Sequence, residues 1–132
     1  MTNEETPESE LTPEPASKAF DLVERTARFG VEVVQFAKRI SSTAVTRPLI
    51  SQFVRSGTSV GANYCEANDA ESKADFRHKI GLCRKESAET KYWLRMISTA
   101  EPALRDDAAV LWQEARELNL IFGKIRRSTG PH

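Results

Sequence analysis

Cysteine is scarce in this 132-residue chain. Cys65 and Cys83 are its only two, too few for the disulfide framework of a small exported scaffold. Histidine is equally scarce, with His78 and His132 alone. With one internal histidine there is no Cys/His/Asp constellation to propose for nucleophilic catalysis, and the Glu-x-x-His motif of di-iron bundles is missing. No apolar run approaches the ~18–20 residues of a membrane-spanning helix. The opening MTNEETPESELTPEPAS has neither a basic start nor an apolar stretch, which predicts no secretory signal. With reduced thiols, the expected location is cytoplasmic and no membrane partner is expected. An excess of one charge is also lacking: 19 Lys and Arg balance 19 Asp and Glu, which excludes an even basic coat.

What is present is an ordinary globular balance, 39% hydrophobic and 29% charged, in a chain long enough for one core without staples. The charge is unevenly spread. Residues 1–15 hold five Glu, three Pro and no Lys or Arg, so residues 1–16 read as a disordered acidic tail that cannot offset its ordering entropy. Residues 16–132 hold 19 basic and 14 acidic residues, a net of +5. The zero is a cancellation, and the tail could screen a basic body.

From residue 17 to 132 the apolar spacing is helical, with steps of three and four. Ile50, Phe53, Gly57, Val60, Tyr64 and Ala67 form one series. Phe76, Ile80, Cys83, Ser87, Thr90, Leu94 and Ile97 form a second, and Ala108, Leu111, Ala115, Leu118, Phe122 and Ile125 a third. No comparable period-two pattern occurs. Ser17 and Thr46, the latter before Arg47 and Pro48, suit helix starts, and Ser72 with Asp75 resembles a capping box. Pro102 interrupts the pattern, and Asp106 and Asp107 favour a new start at the positive dipole end. Helices over about 18–41, 47–70, 73–99 and 105–127 follow. Short connections make consecutive helices antiparallel, so the expected fold is all-α, an up-down-up-down four-helix bundle.

The first helix carries two apolar stripes. One is Phe20, Val23, Ala27, Gly30, Val34 and Ala37; the other is Leu22, Phe29, Val33, Phe36 and Ile40. Either the helix lies deep in the core, or the extra stripe, with Phe29, Val33 and Phe36, packs on another subunit. Gly57 and Gly61, one turn apart beside Ser56, Ser59 and Ala62, permit close helix approach. Lining a phosphate is the weaker alternative, because no GK[ST] ending follows. Asn63 and Glu66 share a helical face and suit a polar network or a subunit junction. Glu86 and Glu89 share the same spacing. Cys83 lies on the core stripe with Cys65 as its bundle neighbour, so both read as small hydrophobes. No catalytic, cofactor or metal site is expected; a carboxylate or thiol acting at a subunit junction is the remaining enzymatic reading.

The third helix carries the sharpest charge signal. Arg77, Arg84 and Lys91 recur every seven residues, a stripe with steps of about 10 Å. Residues 73–95 hold seven basic and three acidic groups. The stripe can contact phosphate, or it can be a solvated flank with ion pairs such as Lys85 with Glu89. Tyr92, Trp93 and Trp112 could stack on bases or simply pack.

The run VTRPLISQFVRSGTSVGANYCEANDAESKADFRHKIGLCRKESAETKYWLRMI resembles the bacterial four-helix-bundle family also called 23S rRNA-intervening-sequence proteins. FDLVERTARFGVEVVQFAKRI and LWQEARELNLIFGKIRR fit the same pattern, so the resemblance covers about residues 18–127, with SQFVRSGTSVGANYCEA the most specific piece. It implies a ring, usually a homopentamer, without established enzymatic activity. It also implies distant kinship to the accessory proteins of diversity-generating retroelements, basic rings that bind nucleic acid. Five such bodies would carry about +25, and weak phosphate contacts on one particle act together. The expectation is a non-enzymatic homo-oligomer with a nucleic-acid-associated or scaffold role. RNA or DNA would bind Arg77, Arg84 and Lys91 without sequence preference. The alternative is a structural module that binds a protein partner.

Overall fold

The three-and-four spacing of apolar residues yields four helices in the computed structural model, which describes residues 18–130. They are α1 (Lys18–Ala37), α2 (Thr46–Asn68), α3 (Lys73–Ala100) and α4 (Arg105–Ser128), with a 3-10 turn at Pro102–Leu104 leading into α4. Short links make neighbours antiparallel, and the result is the all-α up-down-up-down bundle. The acidic segment 1–16, the Ser17 cap and His132 lie outside the described residues. Among the described residues, no helix is long and apolar enough to cross a membrane.

Helix ends follow local hydrogen-bond chemistry. α1 stops at Ala37, short of the expected 41, because Arg39 N bonds Phe36 O at 3.0 Å and Ile40 N bonds Ala37 O at 3.2 Å. These tighter bonds swing Ile40 under the core, where it is 6% exposed. At the start of α2 the capping side chain is Thr43 rather than Thr46. Thr43 Oγ1 accepts from Thr46 N at 3.1 Å, and Thr46 Oγ1 accepts in return from Thr43 N at 2.9 Å. This is a capping box with threonine in the usual glutamate place. Ser72 caps α3 as its spacing suggests, accepting from Asp75 N at 3.0 Å. Asp106 and Asp107 occupy the first turn of α4, and Arg126 and Arg127 its last, both favourable to the macrodipole.

Each helix turns one stripe inward. Phe29, Val33 and Phe36 of α1 meet Phe53, Val60 and Tyr64 of α2, and α3 adds Ile80, Cys83, Leu94 and Ile97. Leu111, Ala115, Leu118 and Phe122 of α4 complete the core. Phe36 meets Phe53 edge-on, with centroids 5.9 Å apart, and full burial of such side chains stabilises by about 1.5–3 kcal/mol each. The contact between α1 and α2 is tight. A Cβ at Gly57 would lie 2.7 Å from both Val33 methyls, and one at Gly61 would lie 3.2 Å from the Thr26 carbonyl oxygen. The glycine pair on α2 therefore serves close helix approach.

That approach decides which α1 stripe is internal. Phe29, Val33 and Phe36, expected as a candidate subunit surface, belong to this chain's own core. The other stripe is the open one: Ala27 is exposed, Val34 is 42% exposed and the adjoining Val31 54%. α1 packs mainly on α2 and meets α4 over a narrower strip. Ion pairs close that strip, Arg25 with Glu114 at 2.7 Å and with Glu117 at 2.9 Å, and Arg39 with Asp107 at 2.6 Å.

Candidate functional site

Charges on two of the bundle seams satisfy one another. Beyond the α1/α4 pairs, Arg55 of α2 is clamped by both Glu86 and Glu89 of α3, with both Glu86 oxygens 3.2 Å from Nη1. Glu66 of α2 accepts from Lys79 Nζ of α3 at 2.7 Å. The expected Lys85–Glu89 pair is replaced, because Glu89 turns toward Arg55. Asn63 and Glu66 do not share a network: Asn63 Nδ2 donates to Ser59 O in its own helix at 2.9 Å.

The α3/α4 seam is built differently. Antiparallel register sets small residues of one helix opposite long cations of the other. A Cβ on Gly130 would lie 3.1 Å from Arg77 Nη2, and one on Gly81 would lie 3.1 Å from Arg126 Nε. A Cβ on Gly123 would meet Arg127 Nη1 at 3.4 Å and Arg84 Nε at 3.6 Å. Three glycines thus seat three guanidinium groups across the seam, Arg77, Arg84 and Arg126, and Gly123 also seats Arg127 of its own helix. Farther along, Asn119 Nδ2 donates to Arg84 O at 2.8 Å, and Lys91 Nζ stands 5.4 Å from the Trp112 ring centroid.

All three members of the expected stripe, Arg77, Arg84 and Lys91, therefore share one seam with Arg126 and Arg127. Among the described residues, none of these five cations forms an ion pair. Arg77 Nε and Arg126 Nε are buried without any hydrogen-bond partner, a costly state for an N–H donor. The Arg77 and Arg126 side chains are held by packing over glycine rather than by carboxylates. Arg77 to Lys91 spans about 21 Å at the helical rise.

Toward the start of α3 the seam opens into a cleft of about 980 Å³, bordered by Lys73, Arg77, His78, Arg126 and Thr129. Among the described residues, Glu71 is the one carboxylate that lines it. Toward the other end the aromatic groups diverge. Trp112 is 37% exposed beneath Lys91, while Trp93 is half-buried with Tyr92 edge-on at 5.0 Å. Trp112 thus stands beside a member of the cationic stripe.

The sequence alone did not single out Arg126, Arg127, Gly81, Gly123 or Gly130. Its available signal was a complement: Arg77–Gly81–Arg84 on α3 and Gly123–Arg126–Gly130, running from α4 just past its end, each alternate long and small at helical spacing. Elsewhere the chemistry is quiet. Burial pushes the Cys83 thiol up to about 12, and its Sγ lies 3.6 Å from Val60 O, so it remains a protonated core group. Cys65, expected as its buried neighbour, is exposed instead. Among the described residues, no group of three or more His, Cys, Asp or Glu side chains is placed to hold a metal ion.

A family model described as 23S rRNA-intervening sequence protein matches residues 18–124. A crystal structure from Bacteroides thetaiotaomicron, of a protein of unknown function from the S23 ribosomal protein family, is 30% identical to this chain. Its TM-score is 0.72, and the match covers 83% of this chain and 98% of that one. No curated protein matches.

Proposed function

The chain belongs to the 23S rRNA-intervening sequence protein family, and on that footing we propose that it is a non-enzymatic, homo-oligomeric bundle protein that associates with nucleic acid through its α3/α4 seam. The observation that carries this reading is the set of five cations, Arg77, Arg84, Lys91, Arg126 and Arg127, that form no ion pair among the described residues and share a single seam of a bundle whose α1/α4 and α2/α3 seams are bridged by ion pairs. Guanidinium groups without carboxylates fit phosphate oxygens well, since their planar forks bond two oxygens at once. Contacts of this kind hold the backbone and carry little sequence information. The protein works in the cytoplasm, with no cofactor and no membrane partner.

Self-association enters the proposal through α1. Its open face, with Ala27, Val31 and Val34, borders a shallow α1/α2 cleft of about 610 Å³, an apolar surface that a second copy can cover. A homopentamer is the assembly proposed, and it would multiply weak phosphate contacts. The kinship to retroelement accessory rings belongs to this same proposal. The competing function is a scaffold whose apolar α1 face binds a protein and whose seam never meets a phosphate.

Fluorescence anisotropy with short RNA and DNA at low and high salt separates the two. Binding that weakens with salt, and that R77E/R84E/K91E abolishes, supports the nucleic-acid role. No binding at low salt, or binding indifferent to the triple reversal, favours the scaffold. Light scattering should return about five times the 14.8 kDa chain mass; a monomer at micromolar concentration removes the oligomer.

A further inference from the structure

The cations of the α3/α4 seam are not evenly spread. Lys91 and Arg84 stand separately along it, whereas Arg77 and Arg126 converge with Lys73 on the cleft at the start of α3. An internal phosphodiester bears one negative charge and is served by one guanidinium. Two arginines and a lysine around one opening suit a group with two charges and three acceptor oxygens. Among the described residues neither the Arg77 nor the Arg126 guanidinium forms an ion pair, so neither is neutralised by a protein carboxylate. The Thr129 hydroxyl on the cleft wall is committed to Ile125 O at 2.9 Å, so the cations carry the site, and among the described residues the exposed Glu71 is the one carboxylate that lines it.

Glycine packing shows that the arrangement is built. Arg126 lies over Gly81 and Arg77 over Gly130, each so close that an added methyl group would push the guanidinium aside by a few tenths of an ångström. A mid-helix glycine at position 81 costs about 1 kcal/mol of helix stability relative to alanine, so seating Arg126 there is favoured at the expense of the helix. Arginines that merely decorated a solvated flank would need no such seats.

We propose that this cleft binds a terminal phosphate monoester, so that a nucleic-acid strand lying along the seam is held by its phosphorylated end. The inference rests on the nucleic-acid reading above and narrows it to strands with a terminal phosphate. Arg77 and Arg126 grip the phosphate oxygens, Lys73 neutralises the second charge, and Arg84 and Lys91 follow the next phosphates toward Trp112.

The test uses the full-length protein and short oligonucleotides differing only at one end: 5′-phosphate, 5′-hydroxyl and 3′-phosphate, each labelled at the other end. Anisotropy should show one phosphorylated form binding about tenfold tighter than the hydroxyl form, the yield of one charge-assisted hydrogen bond. R77Q/R126Q should erase that advantage and weaken hydroxyl-ended strands only by the two lost seam contacts, and K91Q should weaken all three by the same factor. Gly81→Ala should keep or raise the melting temperature yet reduce the advantage, which a purely structural role for Arg126 would not produce. Millimolar inorganic phosphate should remove only the end preference. Equal affinity for all three ends overturns the inference while the nucleic-acid reading stands. An end preference that survives R77Q/R126Q overturns the assignment to this cleft. Inorganic phosphate competing equally with every strand makes the cleft a free-anion site and overturns the terminal-phosphate form. Absence of any binding overturns both readings.

Discussion

Gly57 and Gly30 face the same helix–helix contact from opposite sides, and they should respond in opposite ways to a single methyl group. At Gly57 the added Cβ meets both methyls of Val33 at 2.7 Å, inside a fully buried site. Overpacking of this kind costs about 1–3 kcal/mol. Better helix propensity returns about 1 kcal/mol, so Gly57→Ala should lose about 1 kcal/mol net. At Gly30 the nearest atom to an added Cβ is Thr58 Cα at 3.8 Å, ordinary van der Waals contact. Gly30→Ala should therefore keep its propensity gain of about 0.5–1 kcal/mol. Urea unfolding followed by helical circular dichroism, at one fixed chain concentration, should separate the two midpoints by about 1 M. Val33→Ala destabilises alone but should cost less in the Gly57→Ala background, since contacting residues couple. If Gly57→Ala is as stable as Gly30→Ala, α1 and α2 do not pack as closely as described here.

Thiol chemistry should be one-sided: in the folded protein a soluble disulfide reagent modifies Cys65, while Cys83, its thiol raised by burial, reacts only after unfolding. Two equivalents reacting at the same rate under native conditions would contradict the core placement of Cys83. Arg55→Ala leaves the Glu86 carboxylate, 11% exposed, without its partner and should cost about 1–2 kcal/mol, with Glu86→Gln restoring part of the loss. No restoration would mean that lost Arg55 packing, not the orphaned carboxylate, sets the cost. Hydrogen bonds from Gln113 and Arg25 hold the Glu117 carboxyl below its ordinary value of 4.5. A depressed carboxylate contributes stability above its unfolded value and loses it as pH falls through the folded one. Arg25→Met should therefore flatten the acid limb of the stability curve; an unchanged limb refutes the link.

Bundle architecture was legible because apolar groups at steps of three and four mark every helix, and short connections between four such helices make them antiparallel neighbours. The Ser72 cap and the close approach at Gly57 and Gly61 were legible for the same local reason. Which α1 stripe faces inward was not. Both stripes are apolar, and the decision lies in the fit of Val33 onto Gly57, a contact between residues far apart in sequence. Cys65 sits one residue beyond the buried Tyr64, enough to turn it outward. The candidate seam was half legible. The seven-residue repeat of Arg77, Arg84 and Lys91 is a one-helix signal, whereas Arg126, Arg127 and the glycine seats appear only once the α3/α4 register is fixed. The short 3-10 turn at Pro102–Leu104 joins the two helices.

The most direct test of the nucleic-acid account is the salt dependence of binding, measured with one single-stranded oligonucleotide for the wild type and for R77Q/R84Q/K91Q. Each phosphate contact contributes about 0.7 to the slope of log K against log salt for a single strand. The account predicts a steep wild-type slope that falls by about two when the three contacts are removed, with weaker binding at every salt concentration. A slope identical in both proteins, or no binding by the wild type at low salt, would contradict it.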